Sequence, residues 1–475
     1  TLKLSIIMRT PSNRQEFTKE WLQYILNEYE NKIRPNAKVV VNTFYVGDAC
    51  KPGEGFSAVL TKINIEATLL DCVSIVDAVE DPSNGQQITY NLVVKLRPQD
   101  PFEIEMNNHL GLNIKEYKIY SSIMAELNNF QAEKAGNEFR INIPKLIYGK
   151  QTDDEFVLVM ENLKEFGYDL KAMTEGLNLT ESKNALEQIA RLHAVSYVYN
   201  IQYNILQKFP CMNINKILSA ALLGSSSAIN MALGLLKTRP EMNTMLDKLD
   251  SAKHHIENNI KQVLNNLPEN KMYVLNHGDF WINNLLLKHT IQNEDDDSTT
   301  CDVQLIDWQL SHWGSPAFDL HYFFGSCITP EQRQQYSEQL LQHYHQVFTA
   351  VTIRLGAPVP DWTYTKFKQE FDRLALFGFF KSLWFSSLLS EMSKKGRNMN
   401  QNTSTNPFLW KIKSALAKII MPIFFKPSVS EFTMKRLICP MINELISGEN
   451  PEFTERYLAV LQDADERGLF DVPRS

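Results

Sequence analysis

The chain has 475 residues, of which 44% are hydrophobic and 22% are charged, and its formal net charge is −7. This length and composition predict a soluble globular protein with two lobes or domains. The acidic balance argues against a nucleic-acid-binding protein, which would normally carry a basic face, and nothing in the sequence favours binding to a membrane. The six cysteines are scattered and form no CxxC pair, so a reducing, cytoplasmic location is expected.

The N-terminal residues predict a helix that packs against the first lobe. Phe17, Trp21, Tyr24 and Ile25 follow helical spacing, and Ser12 or Asn13 is the expected N-cap. We assign residues 1–35 to a helical extension, residues 36–161 to a β-rich lobe, and residues 162–475 to a helical lobe. The predicted fold class is α+β.

Three strands are predicted in the first lobe, at Val39–Val46, Ala58–Leu70 and Ile88–Leu96. The turn between the first two strands contains glycines at which a backbone could approach a phosphate. Gly53 and Ser57 in this turn are candidate nucleotide-binding residues, although a glycine-bearing turn is usually only a turn. The turn matches neither GxGxxG nor a Walker A loop, so a P-loop is excluded.

Lys95 lies within the third predicted strand, in the apolar sequence LVVKLRP. A buried lysine is costly unless an anion pairs with it, and the alternative is an edge-strand lysine that reaches water. The helix predicted at Leu112–Leu127 carries Glu116, which would hold Lys95 against nucleotide phosphates as kinases do. Glu126 on the same helix is the alternative partner, since spacing alone does not separate the two carboxylates.

A short apolar strand, Phe156–Met160, is followed directly by Glu161, Asn162 and Leu163. In a two-lobed kinase the chain crosses between the lobes at such a point, and its backbone contacts adenine. Glu161 and Leu163 are therefore candidate nucleotide-binding residues. The simpler interpretation is an ordinary strand exit.

Residues 274–324 contain the main candidate site. Two apolar runs, Asn284–Leu287 and Val303–Ile306, predict a β-hairpin with a polar, solvated turn at Asn293–Thr300. Asp279 and Asn284 precede or begin the first strand, and Asp307 follows the second. Asp, Asn five residues later, and Asp after a hairpin is the spacing of kinase-type phosphoryl-transfer enzymes.

This spacing assigns a role to each polar residue. Asp279 is the expected catalytic residue that accepts or orients the proton of a substrate hydroxyl, and Asn284 and Asp307 are the expected Mg²⁺ ligands. His277 is expected to hold the loop backbone rather than transfer protons. Asp319 is expected to tie down the same loop from the following helix.

The type of kinase is indicated by what the sequence lacks. Only eleven residues separate Asp307 from Asp319, which leaves no room for a long activation segment. Gly278 stands where protein kinases place the arginine of H-R-D. Both features indicate a small-molecule kinase rather than a protein kinase.

Outside this region the sequence predicts mainly packing. Residues 205–270 are predicted to be wholly helical, and His193 is predicted to be a core histidine with satisfied hydrogen bonds. Residues 371–389 predict an aromatic-rich helix that is mostly core, with some side chains available to line a pocket for an apolar substrate.

The motifs together resemble the ecdysteroid kinase-like family, also called CHK kinase-like, whose relatives are aminoglycoside phosphotransferases and choline kinases. The similar stretches are LVVKLRP, EYKIY, LVMENLKEFGYDL, EGLNL, IARLHAVS, NHGDFWINNLL and IDWQLSHWGSPAFDLHYFF. The resemblance implies a protein-kinase-like two-lobed fold, ATP with Mg²⁺ as cofactors, and phosphorylation of a hydroxyl on a small molecule. It implies Asp279 as catalytic aspartate, Asn284 and Asp307 as metal ligands, and Lys95 as a phosphate contact. Asn162 and Trp308 depart from the family pattern without removing a catalytic group.

Two hypotheses follow. The first is an active kinase whose substrate is an apolar alcohol, such as an ecdysteroid or a xenobiotic or plant metabolite. The second is a non-catalytic kinase-like scaffold that binds a lipophilic hormone or a partner. The complete set of lysine, base and metal ligands favours the first. An amino alcohol or aminoglycoside substrate would need acidic groups at the acceptor site, and the sequence predicts no oligomeric state.

Overall fold

The structure is a computed structural model that describes residues 8–49, 59–70, 85–172, 175–214, 228–265, 272–293, 296–383, 413–418 and 451–471. The candidate residues Gly53 and Ser57 lie outside these ranges, as does the part of the predicted helix 371–389 that follows residue 383. In the first part of the chain the elements are α1 (Lys19–Ile33), β1 (Lys38–Asp48), β2 (Val59–Leu70), β3 (Gln86–Leu96), α2 (Pro101–Leu110), α3 (Leu112–Lys118), a π-helical segment (Ile119–Ile123), α4 (Met124–Ala135), β4 (Leu146–Gln151) and β5 (Phe156–Glu161).

The first part of the chain is built on a five-stranded sheet with the strand order β1-β2-β3-β5-β4. All its pairings are antiparallel, as expected for strands joined by short connections. Lys95 on β3 lies opposite Leu60 on β2 and Leu158 on β5. The lysine is therefore on a central strand, and the edge-strand interpretation is wrong.

Helix α1 covers one face of this sheet, where Trp21, Leu22 and Ile25 are buried with strand residues in one core. The predicted cap is wrong, because Thr18 caps α1 by accepting a 3.2 Å hydrogen bond from the Trp21 amide. Asn13 instead caps a short 3₁₀ turn that precedes α1. Tyr24 is 40% exposed and does not belong to the buried face, because this face is narrower than the predicted one.

The helix predicted at Leu112–Leu127 is present, but it contains the π-helical segment Ile119–Ile123 between α3 and α4. Gly111 separates α2 from α3 with a φ of +69°, a left-handed conformation that glycine adopts readily. Ile119 and Ile123 are buried in the large core shared with the helical part of the chain. This core positions α3 so that it lies beside the sheet.

The second part is mostly helical. Its elements are β6 (Asp169–Leu170), α5 (Leu179–Tyr203), α6 (Ile205–Lys208), α7 (Asn243–Asn265), β7 (Val274–Asn276), β8 (Leu285–Asn293), β9 (Asp296–Leu305), β10 (His312–Gly314), α8 (Ala317–Ser326), α9 (Pro330–Arg354), α10 (Tyr364–Arg373) and α11 (Pro451–Glu466). Residues 228–236, 375–383 and 413–418 are also helical. In the part of the chain that the structure describes, no helix combines the length and apolarity required to cross a membrane.

Residues 205–270 are not one helical run. Within their described part, 3₁₀ turns begin at Pro210 and Pro240. Proline has no backbone N–H to continue a helix, which accounts for both interruptions. His193 lies in the core as predicted, with hydrogen bonds to Tyr344 and Asp319 of 2.7 and 3.1 Å.

The predicted hairpin is present as β8 and β9, which pair with Leu285 opposite Leu305, and β6 extends it to a three-stranded sheet. The predicted turn is too long, because pairing continues as far as Asn293 opposite Asp296. Thr299 and Thr300 favour strand through their β-branched side chains, although they are polar. A separate two-stranded pairing of β7 with β10 brackets the loop that carries Asp279.

Candidate active site

Lys95 lies at the centre of the site. Its Nζ is 2.7 Å from Glu116 Oε2 and 2.9 Å from Asp307 Oδ1, and its side chain is only 7% exposed. Glu116 is therefore the helix carboxylate that pairs with Lys95. The alternative, Glu126, is wrong, because it accepts hydrogen bonds from Tyr199 and Lys208 on the other side of the helix.

The opposite charges of Lys95, Glu116 and Asp307 offset the free-energy cost of burying charged groups. Burial alone would lower the pKa of Lys95, but the Asp307 and Glu116 carboxylates raise this pKa above its usual value. Burial raises the pKa of Glu116, although Lys95 opposes the shift. Because Lys95 and Glu116 are both buried, removal of either would leave the other as an uncompensated buried group.

Asp279 lies on the loop between β7 and the hairpin. Its Oδ2 accepts hydrogen bonds from Asn284 Nδ2 at 2.9 Å and from Trp281 Nε1 at 3.2 Å. Burial and then the charge of Asp307 raise the pKa of Asp279 to about 6, whereas Lys381 and a hydrogen bond from Tyr322 oppose the shift. A carboxylate with this pKa titrates near neutral pH, as suits a general base.

The loop is held from behind by His277 and Asp319. The backbone amides of His277 and Gly278 donate to the two oxygens of Asp319, at 2.7 and 2.8 Å. His277 Nε2 lies 3.0 Å from the Ile306 carbonyl oxygen, next to the strand that ends before Asp307. Burial lowers the pKa of His277, so the imidazole is neutral and donates this bond. Both residues lie where the sequence predicts loop support.

Asp307 follows β9 in a left-handed conformation with a φ of +64°. Aspartate tolerates this region better than most residues, and strained backbone of this kind concentrates at functional sites. The Ile306 amide donates to the Asn284 carbonyl at 3.1 Å, which joins the loop and the strand end. The Asp307 side chain is 28% exposed, so its carboxylate reaches the cleft while it also pairs with Lys95.

Asn284 and Asp307 together fit a hard divalent cation. The Asn284 amide nitrogen donates to the Asp279 backbone and side chain, which leaves its amide oxygen as a ligand. Among the described residues no cluster of three or more His, Cys, Asp or Glu groups is arranged to hold a metal. Two oxygen ligands suit Mg²⁺, which keeps several waters and binds substrate phosphates rather than an all-protein cage.

A cleft opens in front of these residues. Leu60, Val93, Met160, Leu286 and Ile306 provide apolar walls, and Lys95, Glu116, Asn284 and Asp307 lie at its polar end. Such a combination of apolar walls and few convergent polar groups is typical of ligand pockets.

Glu161 and Leu163 also line this cleft, as the sequence predicts. The Glu161 carboxylate accepts a 2.7 Å hydrogen bond from the Lys145 amide, so it is engaged within the protein. A contact with a ligand would therefore involve the backbone of this segment. Asn162 lines the cleft between them, and its side chain caps the following 3₁₀ turn.

The sequence model of the ecdysteroid kinase-like family matches residues 52–357. The chain belongs to the ecdysteroid kinase-like family. Family membership and the observed architecture confirm the predicted protein-kinase-like α+β fold, with a β-rich first lobe and a helical second lobe. The predicted boundaries at residues 35 and 161 remain predictions.

Several solved structures resemble this ecdysteroid kinase-like protein at low identity. A Plasmodium vivax ethanolamine kinase is 13% identical with a TM-score of 0.36, covering 80% of this chain and 85% of that one. A macrolide 2'-phosphotransferase from Brachybacterium faecium is 11% identical with a TM-score of 0.32, covering 82% and 99%. An AMP-bound spectinomycin phosphotransferase is 12% identical with a TM-score of 0.33, covering 81% and 96%. A comparison with curated proteins gave no match.

Sequence reasoning missed two residues of this ecdysteroid kinase-like protein that lie beside Asp279. Tyr322 on α8 hydrogen-bonds to the Asp279 carboxylate, and Lys381 contributes a positive charge to the same group. Lys381 carries the same signal as Lys95, a lysine in an otherwise apolar segment. This signal was available within the sequence FGFFKSLWF.

Proposed function

We propose that this protein is a kinase that transfers the γ-phosphoryl group of ATP to a hydroxyl of a small apolar molecule, such as an ecdysteroid or a xenobiotic or plant alcohol. One observation carries the proposal: Lys95 joins the central strand to both Glu116 and Asp307 at 2.7 and 2.9 Å. Three residues that are distant in sequence thus meet at the polar end of a cleft whose other walls are mainly apolar.

Each residue has a role in this reaction. Lys95 contacts the nucleotide phosphates, and Glu116 holds the Lys95 side chain in place. Asn284 and Asp307 would hold Mg²⁺, which would supply positive charge to offset the negative charge of the phosphates. The apolar walls and the backbone at Glu161–Leu163 receive the adenine ring.

Asp279 orients the acceptor hydroxyl and takes its proton as the oxygen attacks the γ-phosphorus and the bond to the ADP oxygen breaks. The pKa of Asp279, raised by burial to about 6, is close enough to neutral pH for this role. His277 and Asp319 act only by holding the loop. Positioning and electrostatics therefore supply most of the catalysis.

A non-catalytic scaffold is the alternative. No described observation favours it: Lys95 pairs with both Glu116 and Asp307, and the proposed base Asp279 is hydrogen-bonded to Asn284.

The first test measures nucleotide binding by thermal unfolding. Mg²⁺ and ATP at about one hundred times Kd should stabilise the folded protein by about 2.7 kcal/mol. Asp307→Asn, which removes the charge but keeps the shape, should lose this stabilisation. Asp302→Asn is the matched control. Asp302 lies on β9, accepts a hydrogen bond from the Tyr168 hydroxyl and does not line the cleft, so this variant should retain the stabilisation by Mg²⁺ and ATP. Absence of any nucleotide-linked shift in the unmodified protein would refute the kinase proposal.

The second test is an ATP-consumption screen against ecdysteroids, phenolic glucosides and amino alcohols. Turnover of an apolar alcohol supports the proposed substrate class. Turnover of amino alcohols alone would show that the substrate class is wrong while the kinase chemistry stands.

A further inference from the structure

Lys381 is a positively charged residue whose charge acts on the Asp279 carboxylate. It lies on the helical segment 375–383, and its Nζ is 4.2 Å from the centroid of the Tyr322 ring. Tyr322 in turn hydrogen-bonds to the Asp279 carboxylate. A chain of contacts therefore leads from Lys381 through one aromatic side chain to the proposed catalytic base.

Aromatic contacts place Lys381 at this position. Segment 375–383 runs alongside α8, with Phe377 against Phe318 at a ring distance of 4.9 Å. Lys381 and Tyr322 each lie four residues further along their helices, so they form the next contact along the same pair of faces. The lysine position thus follows from helix packing and not from a surface loop.

Two glycines make this packing close. A Cβ at Gly378 would lie 2.3 Å from His321 Nδ1, and a Cβ at Gly325 would lie 2.2 Å from Ser382 Oγ. The Cβ at Gly378 would also lie 2.7 Å from His321 Cγ, so this close approach requires glycine at position 378, whereas the Ser382 hydroxyl near Gly325 could rotate away. The contact leaves little freedom to move Lys381 away from Tyr322.

The position of Lys381 relative to the cleft indicates whether it lies on the nucleotide side or the acceptor side of Asp279. Asn284 and Trp281, which donate to Asp279, line the proposed nucleotide cleft, whereas Tyr322 and Lys381 do not. Phosphoryl transfer places the attacking and leaving oxygens roughly in line, so the acceptor approaches from the side opposite the nucleotide. Lys381 therefore lies on the acceptor side of Asp279.

We propose that Lys381 is the residue that selects the acceptor by charge, favouring a hydroxyl on an uncharged molecule over one on an amino alcohol or aminoglycoside. This inference rests on the proposed kinase function. A cationic acceptor must bring its ammonium group near Lys381 when its hydroxyl reaches Asp279. The two like charges repel each other, more strongly in a partly buried site than in water.

The surrounding charges support this assignment. Burial lowers the pKa of Lys381, but Asp279 and Asp319 favour its charged form. Asp319 already accepts hydrogen bonds from His193 and two backbone amides, so it is engaged within the loop. Lys381 is thus the counter-charge of Asp279, and the carboxylate is not left to attract a cationic substrate.

The test compares acceptors that differ only in charge. One pair is choline and its carbon isostere, in which a tert-butyl group replaces the trimethylammonium group. Another is a steroid polyol and its amino-substituted form, within a wider panel of uncharged apolar alcohols. The full chain should show a kcat/KM at least about tenfold higher for the uncharged member of each pair.

Lys381→Met keeps the apolar stem and removes the charge, so the preference should fall about tenfold toward equality. Lys381→Gln should do the same, which guards against an effect of the methionine itself. Lys368→Met is the matched control: Lys368 also lies over an aromatic ring, Phe371, at 5.7 Å, and pairs with Asp372 away from Asp279. This variant should keep the unmodified preference.

Stabilisation by Mg²⁺ and ATP is measured in parallel for every variant. If it is present, the inference is overturned by preference for the cationic members, by an unchanged ratio in both Lys381 variants, or by failure to turn over any uncharged alcohol. If it is absent from the unmodified protein, the kinase proposal itself fails, and the charge-selection inference with it.

Discussion

At the scale of single residues, Gly278 has a second reason to be glycine. The sequence shows only that it replaces the arginine of a protein-kinase loop. In the structure its φ is +82°, and a Cβ would lie 2.0 Å from the Leu310 carbonyl oxygen. Residues other than glycine rarely adopt this backbone conformation, and the Leu310 carbonyl could move aside only if the main chain shifted. The residue before the proposed base is therefore constrained by backbone geometry as well as by function.

Gly278→Ala should destabilise the protein and displace Asp279. Gly136→Ala is the matched control, since Gly136 has a φ of +62° but nothing within 4 Å of its Cβ position. The control should cost about 1–2 kcal/mol for the left-handed conformation alone, and Gly278→Ala should cost more. Urea unfolding measures the stability, and phosphoryl transfer should be lost only in Gly278→Ala. Equal losses in the two variants would contradict the steric argument.

At the scale of elements, helix α3 and strand β3 together create the polar end of the cleft, through Glu116 and Lys95. The sequence predicts a single helix with two candidate carboxylates, and only packing distinguishes them. The π-helical segment Ile119–Ile123 follows Glu116 and precedes Glu126, and such segments often occur at functional sites. Glu116 faces Lys95 within the protein, whereas Glu126 faces Lys208 at the surface.

Glu116→Ala should therefore raise the KM for ATP by at least about tenfold, because the buried ion pair that orients Lys95 is lost. Glu126→Ala on the same helical run should leave this KM within about twofold, since its ion pair with Lys208 is largely exposed. Steady-state kinetics with varied ATP distinguishes the two variants. A similar KM in both would show that Glu116 does not position Lys95.

At the scale of the whole molecule, burial in the helical lobe keeps several histidines uncharged. Burial lowers the pKa of His312 to about 4 and that of His321 to about 3, from a usual value of 6.5. The His321 ring stacks on Phe371 at 4.0 Å, and its Nε2 lies 2.7 Å from the Phe371 carbonyl oxygen. Each of these histidines is neutral in the folded chain at neutral pH.

The free energy of unfolding should fall as the pH is lowered below about 6.5. Above this pH His321 is neutral in both the folded and the unfolded chain, so it contributes no pH dependence to the free energy of unfolding. Below it the unfolded chain takes up a proton that the folded chain excludes, so stability is lost as the pH falls toward the folded pKa. A single fully buried histidine contributes about 2 kcal/mol between about pH 6.5 and pH 5.

His321→Gln tests this contribution by thermal unfolding across the same pH range. The variant should be less stable at neutral pH, since it loses the stacked ring, but its loss of stability on acidification should be smaller. His254→Gln, at a side chain that is 89% exposed, should behave like the unmodified protein. An unchanged acid dependence in His321→Gln would exclude this histidine as a contributor.

The sequence by itself determined the family, the fold class and the hairpin, and it supplied the residues of the proposed site, because these depend on local patterns. The sequence shows the alternation of apolar residues without any knowledge of spatial contacts. It also shows the order and spacing of Lys95, Asp279, Asn284 and Asp307. Only the tertiary structure decided that Glu116 and not Glu126 pairs with Lys95, that Gly278 needs a left-handed backbone, and that Lys381 lies beside Asp279. These facts depend on contacts between residues far apart in sequence, whose distances follow from packing and not from spacing.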